Sequence, residues 1–205
     1  MGKGTKIEWA VHPKTGNHAS WNPLLARKLD TGRIGYHCEH VSPGCEFCYA
    51  EAFNQRGLPH RGTTLPFKPG HRQDVEIFIH DKIVLDPLRW KEPHGVFTCS
   101  MTDLFGEFVS DSIIDGLMAV QALARHHLFF VLTKRSARMR AYMDDPATPA
   151  RIAYAAGLLT GAMNDKWRSI GAEVVANKPE DAKRFLETEI KRWGAVVKAA
   201  GLRSE

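Results

Sequence analysis

With 205 residues, 43% of them hydrophobic, the chain is long enough to build one ordinary domain around a real core, which excludes disorder as its default state. A formal net charge of +5 suits a polyanionic partner such as nucleic acid without demanding one. The opening MGKGTKIEWAVHPKTG has no apolar run of secretory length, and no uncharged stretch is long enough to span a bilayer, so the sequence predicts a cytoplasmic protein without a membrane partner.

In chain order, residues 1–93 read as loop-rich, with Gly, Pro and His among short apolar pieces. CYAEAFNQRG predicts a short helix closing at Gly57, and VEIFIH (Val75 to His80) has the β-branched and aromatic character of a strand. LDPLRWKEP reads as a turn and a brief helical piece before Pro93. GVFTCSMTDLF then predicts a strand ending near Cys99, and SDSIIDGLMAVQALARH a helix capped by Ser110 or Asp111, with Ile113, Ile114, Leu117, Leu123 and Ala124 on one face. LFFVLTK follows as an apolar strand. A strand, a helix and a strand in that order predict a parallel pair whose ends, Cys99-Ser100 and Thr133-Lys134, share one sheet edge, where sites are built in parallel α/β folds. Past Met143 the chain reads as a linker or weak helix over 144–165 and a helical tail over 166–205. The tail's best helix starts near Lys178, with Pro179, Glu180 and Asp181 in its first turn and Gly201 as its stop.

The chemistry concentrates in HCEHVSPGCEFCYAE. Three of the four cysteines, Cys38, Cys45 and Cys48, fall within it, and a reducing compartment makes ligand or catalytic roles more common than disulfides. The two-residue spacing of Cys45 and Cys48, after a turn at Pro43-Gly44, suits thiolates gripping a metal. A tetrahedral zinc needs one more ligand, from Cys99, His37 or His40, whereas a [4Fe-4S] cluster needs these three alone and keeps one iron open. Small buried hydrophobes are the remaining alternative. Phe47 and Tyr49 flank the last cysteine and would wall a cluster from water.

Six ordered blocks carry a resemblance: TKIEWA, SWNP, VSPGCEFCYAE, PLRWKEP, VFTCSMTDLF and FVLTKRSARM. Over residues 5–143 they resemble a phage-encoded family of unknown function with a three-cysteine motif, similar to radical S-adenosylmethionine proteins. The resemblance implies a partial (βα) barrel-like parallel sheet, with Cys38, Cys45 and Cys48 holding a cluster whose open iron takes S-adenosylmethionine and an electron from a donor the sequence does not name. Phe47, Tyr49, Ser100, Asp103, Lys134 and Arg135 then stand where contacts to that cofactor or to a substrate are expected, the substrate being a nucleotide or nucleic acid in a phage setting. The alternative is a zinc-stabilised, non-enzymatic module using Cys99 as fourth ligand and binding nucleic acid or a protein. Position 99 usually holds Asn in the family, and its members continue after LTKR with further strand and helix units that are missing here, which implies a shortened cofactor pocket and an expectation of inactivity through truncation. Lys166 to Leu202 instead resembles the C-terminal tail of tripartite tricarboxylate transporter solute-binding receptors. On the two resemblances together the chain reads as a fusion or composite, an α/β domain over 1–143 with a helical appendage.

Overall fold

The computed structural model describes the backbone at residues 2–3, 7, 9–56 and 62–169, and side-chain surroundings at 7, 9–56 and 62–161. Two compact units divide the chain, Met1–Ala156 and Gly157–Glu205. All but one of the elements below lie wholly in the first. Of the second unit, the described part belongs to the helix Thr148–Ser169. The tail helix expected from Lys178 to Gly201, and the helix stop at Gly57, lie outside the described residues.

The first unit is α/β. Its main sheet runs β1 (Gly2–Lys3), β2 (His18–Trp21), β6 (Gly95–Thr98) and β7 (Leu128–Val131), named with the strands β3 to β5 below in chain order. β2, β6 and β7 are parallel, in the registers Trp21↔Thr98 and Thr98↔Val131, and β1 pairs antiparallel with β2. Every residue of GVFT is buried, as a central parallel strand requires of a run without polar alternation. A second sheet places β3 (Leu24–Lys28) between β4 (Ile34–Gly35) and β5 (Val75–Ile79), all antiparallel. Asn22-Pro23 separates β2 from β3, and Pro23, having no N–H to give a ladder, ends the first pairing while its carbonyl accepts from His80.

The helices are α1 (Tyr49–Gln55), α2 (Asp81–Val84), α3 (Asp86–Arg89), α4 (Asp111–Leu123), α5 (Ser136–Asp144) and α6 (Thr148–Ser169). The Ser110 hydroxyl caps α4 by accepting from the Ile113 N–H, a contact worth about 1 kcal/mol. Ile114, Leu117, Ala119, Val120 and Ala124 are fully buried, so the buried face of α4 runs through Ala119 and Val120, and Leu123 is an exposed residue at its end. Trp21 anchors the other end of the core, its indole N–H donating to the Ile83 carbonyl at 2.9 Å.

α5 is held by charge. Arg138 donates to the carbonyls of Phe105, Gly106 and Val109 and pairs with Asp111 at 3.1 Å, closing the turn between β6 and α4. Tyr142 donates to buried Asp115 at 2.6 Å, and Arg151 of α6 reaches the same carboxylate at 3.1 Å. None of the described helices is long and apolar enough to cross a membrane.

Candidate functional site at the cysteine loop

Three parallel strands end side by side, and the residues that follow two of them, β6 and β7, form one wall of a cavity of about 390 Å³. Cys99 to Asp103 follow β6, and Leu132 to Arg135 follow β7. The cysteine loop supplies the opposite wall with Cys38, Glu39, His40, Cys45, Cys48 and Tyr49. All four cysteines are free thiols and line this cavity. Of the residues expected at the site, Tyr49, Ser100, Asp103, Lys134 and Arg135 line it too. Phe47 does not: it is 92% exposed, because the 3-10 turn Pro43–Cys45 and the start of α1 set it outward between Cys45 and Cys48.

Hydrogen bonds explain why the loop docks on the strand ends. Thr102 donates its hydroxyl to the His37 carbonyl and Tyr49 to the Ser100 carbonyl, each at 2.5 Å. Asn22, past the end of β2, accepts the Met101 N–H and bonds the Ser100 hydroxyl at 3.0 Å, so all three strands contribute. The central brace is Asp103. Its carboxylate accepts from the Phe105 N–H, the Thr133 hydroxyl, the Lys134 N–H and the Arg135 guanidinium, at 2.7 to 3.1 Å. Arg135 in turn donates to the Glu39 carbonyl at 2.9 Å, next to Cys38. One buried ion pair therefore links the ends of β6 and β7 to the cysteine loop, while Arg135 keeps its Nε buried without a partner.

The thiols differ in their surroundings. Burial raises the Cys38 pKa against the opposing charge of Arg135. At Cys45 burial also pushes upward, but hydrogen bonds from the Val41 and Ser42 backbone and the Ser42 hydroxyl, with the Lys134 charge, outweigh it and hold the thiol below its ordinary value. Cys99 is pushed up to about 12, by burial first and the Asp103 charge second. It also sits at φ 54°, in the left-handed region where Asn and Gly are the ordinary occupants.

Sequence reasoning missed the parts that hold the site together. Asn22 lies in the SWNP block but carried no expected role. His40 and Glu51 pair at 2.7 Å, and Glu51 also accepts the Phe67 N–H, tying α1 to the loop beyond it. Their eleven-residue separation is not a helix spacing, so only the fold brings them together. Among the described residues, no three His, Cys, Asp or Glu side chains are gathered as ligands of one metal ion.

A family described as a protein of unknown function (DUF5131) matches residues 5–195. The matched span continues past residue 143, where the resemblance read from the sequence blocks stops, and takes in most of 166–202. No curated protein and no solved structure matches the chain. The chain belongs to this family of unknown function.

Proposed function

We propose that this family member is an iron-sulfur protein of the radical S-adenosylmethionine type, with its cofactors in the cysteine-lined cavity. The observation that carries the reading is the meeting of Cys38, Cys45 and Cys48 with Ser100 and Lys134 in one cavity at the C-terminal edge of parallel strands. That edge is where parallel α/β folds build their sites, and on this reading β2, β6 and β7 belong to a (βα) barrel-like sheet.

The donor set suits a four-iron cluster: three thiols of one loop are enough for it and leave one iron open, whereas a tetrahedral zinc needs a fourth ligand from elsewhere in the chain. Cys38, Cys45 and Cys48 would hold the cluster. When bound with S-adenosylmethionine, it would supply the electron for reductive cleavage to a carbon radical. The chain's own contribution is binding, orientation and exclusion of water. Lys134, exposed at the cavity, offers a cation to a carboxylate, and Tyr49 and Phe67 supply aromatic wall. Arg135 and Asp103 hold the two strand ends at fixed separation, with the two terminal guanidinium nitrogens bound to Asp103 and Glu39.

The zinc reading rests on a different observation, that Cys99 lines the same cavity. Metal content of two variants separates the readings. On the cluster reading, Cys99→Asn retains the iron bound after anaerobic reconstitution and Cys48→Ala loses it. Loss of bound zinc in both variants, with no iron retained by the parent, would establish the four-thiolate site instead.

A further inference from the structure

The opposite edge of the parallel sheet carries a second cavity, of about 650 Å³, lined by Gly16, Asn17, His18, Arg89, Trp90, Lys91, Glu92 and His94. No cysteine touches it. The chain enters each parallel strand through a histidine: His18 opens β2, His94 precedes β6 and His127 precedes β7. Three separate loops thus bring imidazoles to one edge.

Part of this cluster is scaffolding. His127 accepts the His94 N–H at its Nδ1 (3.1 Å) and donates from Nε2 to the Pro87 carbonyl (2.9 Å), which fixes it as a neutral tautomer. Trp90 packs on both rings, with centroids 5.4 Å from His94 and 5.6 Å from His127. Other groups are not spent in this way. His94 donates Nδ1–H to the Glu92 carbonyl at 2.6 Å, and its Nε2 has no partner among the described residues. His18 keeps its Nδ1 buried without a hydrogen-bond partner. Arg89 and Lys91 are exposed at the lining, and Glu92 is the single acid there. The loops that hold His18 and His127 add exposed Lys14 and Arg125, so cations outnumber the single lining acid at this edge, even with Arg89 paired to Asp86.

Cations, imidazoles and an indole around a cavity of nucleotide size have one ligand chemistry in common. We propose that this cavity binds a phosphate ester, with Arg89 and Lys91 meeting the phosphate and Trp90 packing on the organic part. The ester can come from a free mononucleotide or from the backbone of single-stranded nucleic acid. This site is separate from the cysteine cavity, and its occupancy does not depend on any cluster there.

The test is calorimetric titration of the full chain at low salt with adenosine 5′-monophosphate, a short oligothymidylate and inorganic phosphate, repeated on R89Q/K91Q and K134Q. Arg89 also bonds the Lys82 carbonyl and pairs with Asp86, so K91E, an exposed single change, carries the test if the double variant fails to fold. Binding of the mononucleotide that weakens at least about fivefold in R89Q/K91Q or K91E, and is unchanged in K134Q, supports the proposal with a free nucleotide as ligand. Oligonucleotide binding that weakens in the same variants and falls steeply with salt supports it with nucleic acid as the source. Equal affinity in parent, R89Q/K91Q and K91E would overturn it. So would loss in K134Q alone, absence of binding by either ester, or inorganic phosphate binding as tightly as the esters.

Discussion

Removing the Asp103 carboxylate is expected to be the most damaging single change at the site, and its cost follows from what surrounds it. Asp103→Ala strands two backbone N–H groups, the Thr133 hydroxyl and the Arg135 guanidinium, whose side chain is only 7% exposed. An uncompensated buried charge of this kind costs about 3–5 kcal/mol, a large share of the roughly 5–15 kcal/mol that holds a domain together. Urea unfolding of parent and variant, read as a shift in midpoint at constant slope, gives the number. Asp144→Asn is the control: its pair with Arg140 is exposed at both ends, so the change should stay within about 0.5 kcal/mol. The double variant D103L/R135M removes both charges and should recover the part of the loss that comes from the unpaired ion, while the two backbone N–H groups and the Thr133 hydroxyl stay unmatched. A loss below about 1 kcal/mol in Asp103→Ala, or a double variant no more stable than the single, would refute the brace.

Three further outcomes follow from the same geometry. Burial first, with the neighbouring His126 and His94 opposing a positive charge, lowers the His127 pKa to about 4, below its unfolded value of about 6.5; the unfolded chain therefore binds more protons between those values, and stability should fall by up to about 3 kcal/mol as pH drops through that window, a dependence that His127→Gln should largely remove in pH-resolved melting curves. Cys99, with its pKa pushed up to about 12, should remain unalkylated by iodoacetamide at pH 9 in the folded apo-protein while Cys48, half-buried at the cavity, is modified, as peptide mass spectrometry would show; equal labelling would contradict its burial. Gly95→Ala should cost about 1–3 kcal/mol in the same urea assay, since a Cβ there would stand 2.4 Å from the Ala10 carbonyl oxygen and 2.6 Å from the Val11 carbonyl carbon, both backbone.

The unit of β6, α4 and β7 was legible in the sequence because each piece is locally self-consistent: an apolar run, a Ser cap before a helix-period stripe, and a second apolar run. The strands HASW and LLARK were not. They are short and partly polar, and they become strands through partners far along the chain, as Trp21 does with Thr98 and Lys28 with Val75. At the candidate site, the cysteines, Ser100 and Lys134 were expected from motif and strand order, and they line one cavity. The roles of Asp103 and Arg135 were beyond reach, since nothing local reveals that residues 32 apart form a buried pair or that Glu39 completes it. Phe47 shows the reverse limit: adjacency to Cys48 suggested a wall, but the turn geometry sets it outward. Arg138 caps the carbonyls before α4, a contact that nothing in the local sequence announces.

Anaerobic reconstitution with iron and sulfide, followed by metal analysis and the visible absorption spectrum, tests the central proposal most directly. A brown protein with about four irons and four sulfides per chain, whose colour is lost when Cys38, Cys45 or Cys48 is replaced by Ala but kept in Cys99→Asn, is the expected result. A colourless protein that holds one zinc per chain, or iron that survives loss of any of the three loop cysteines, would contradict it.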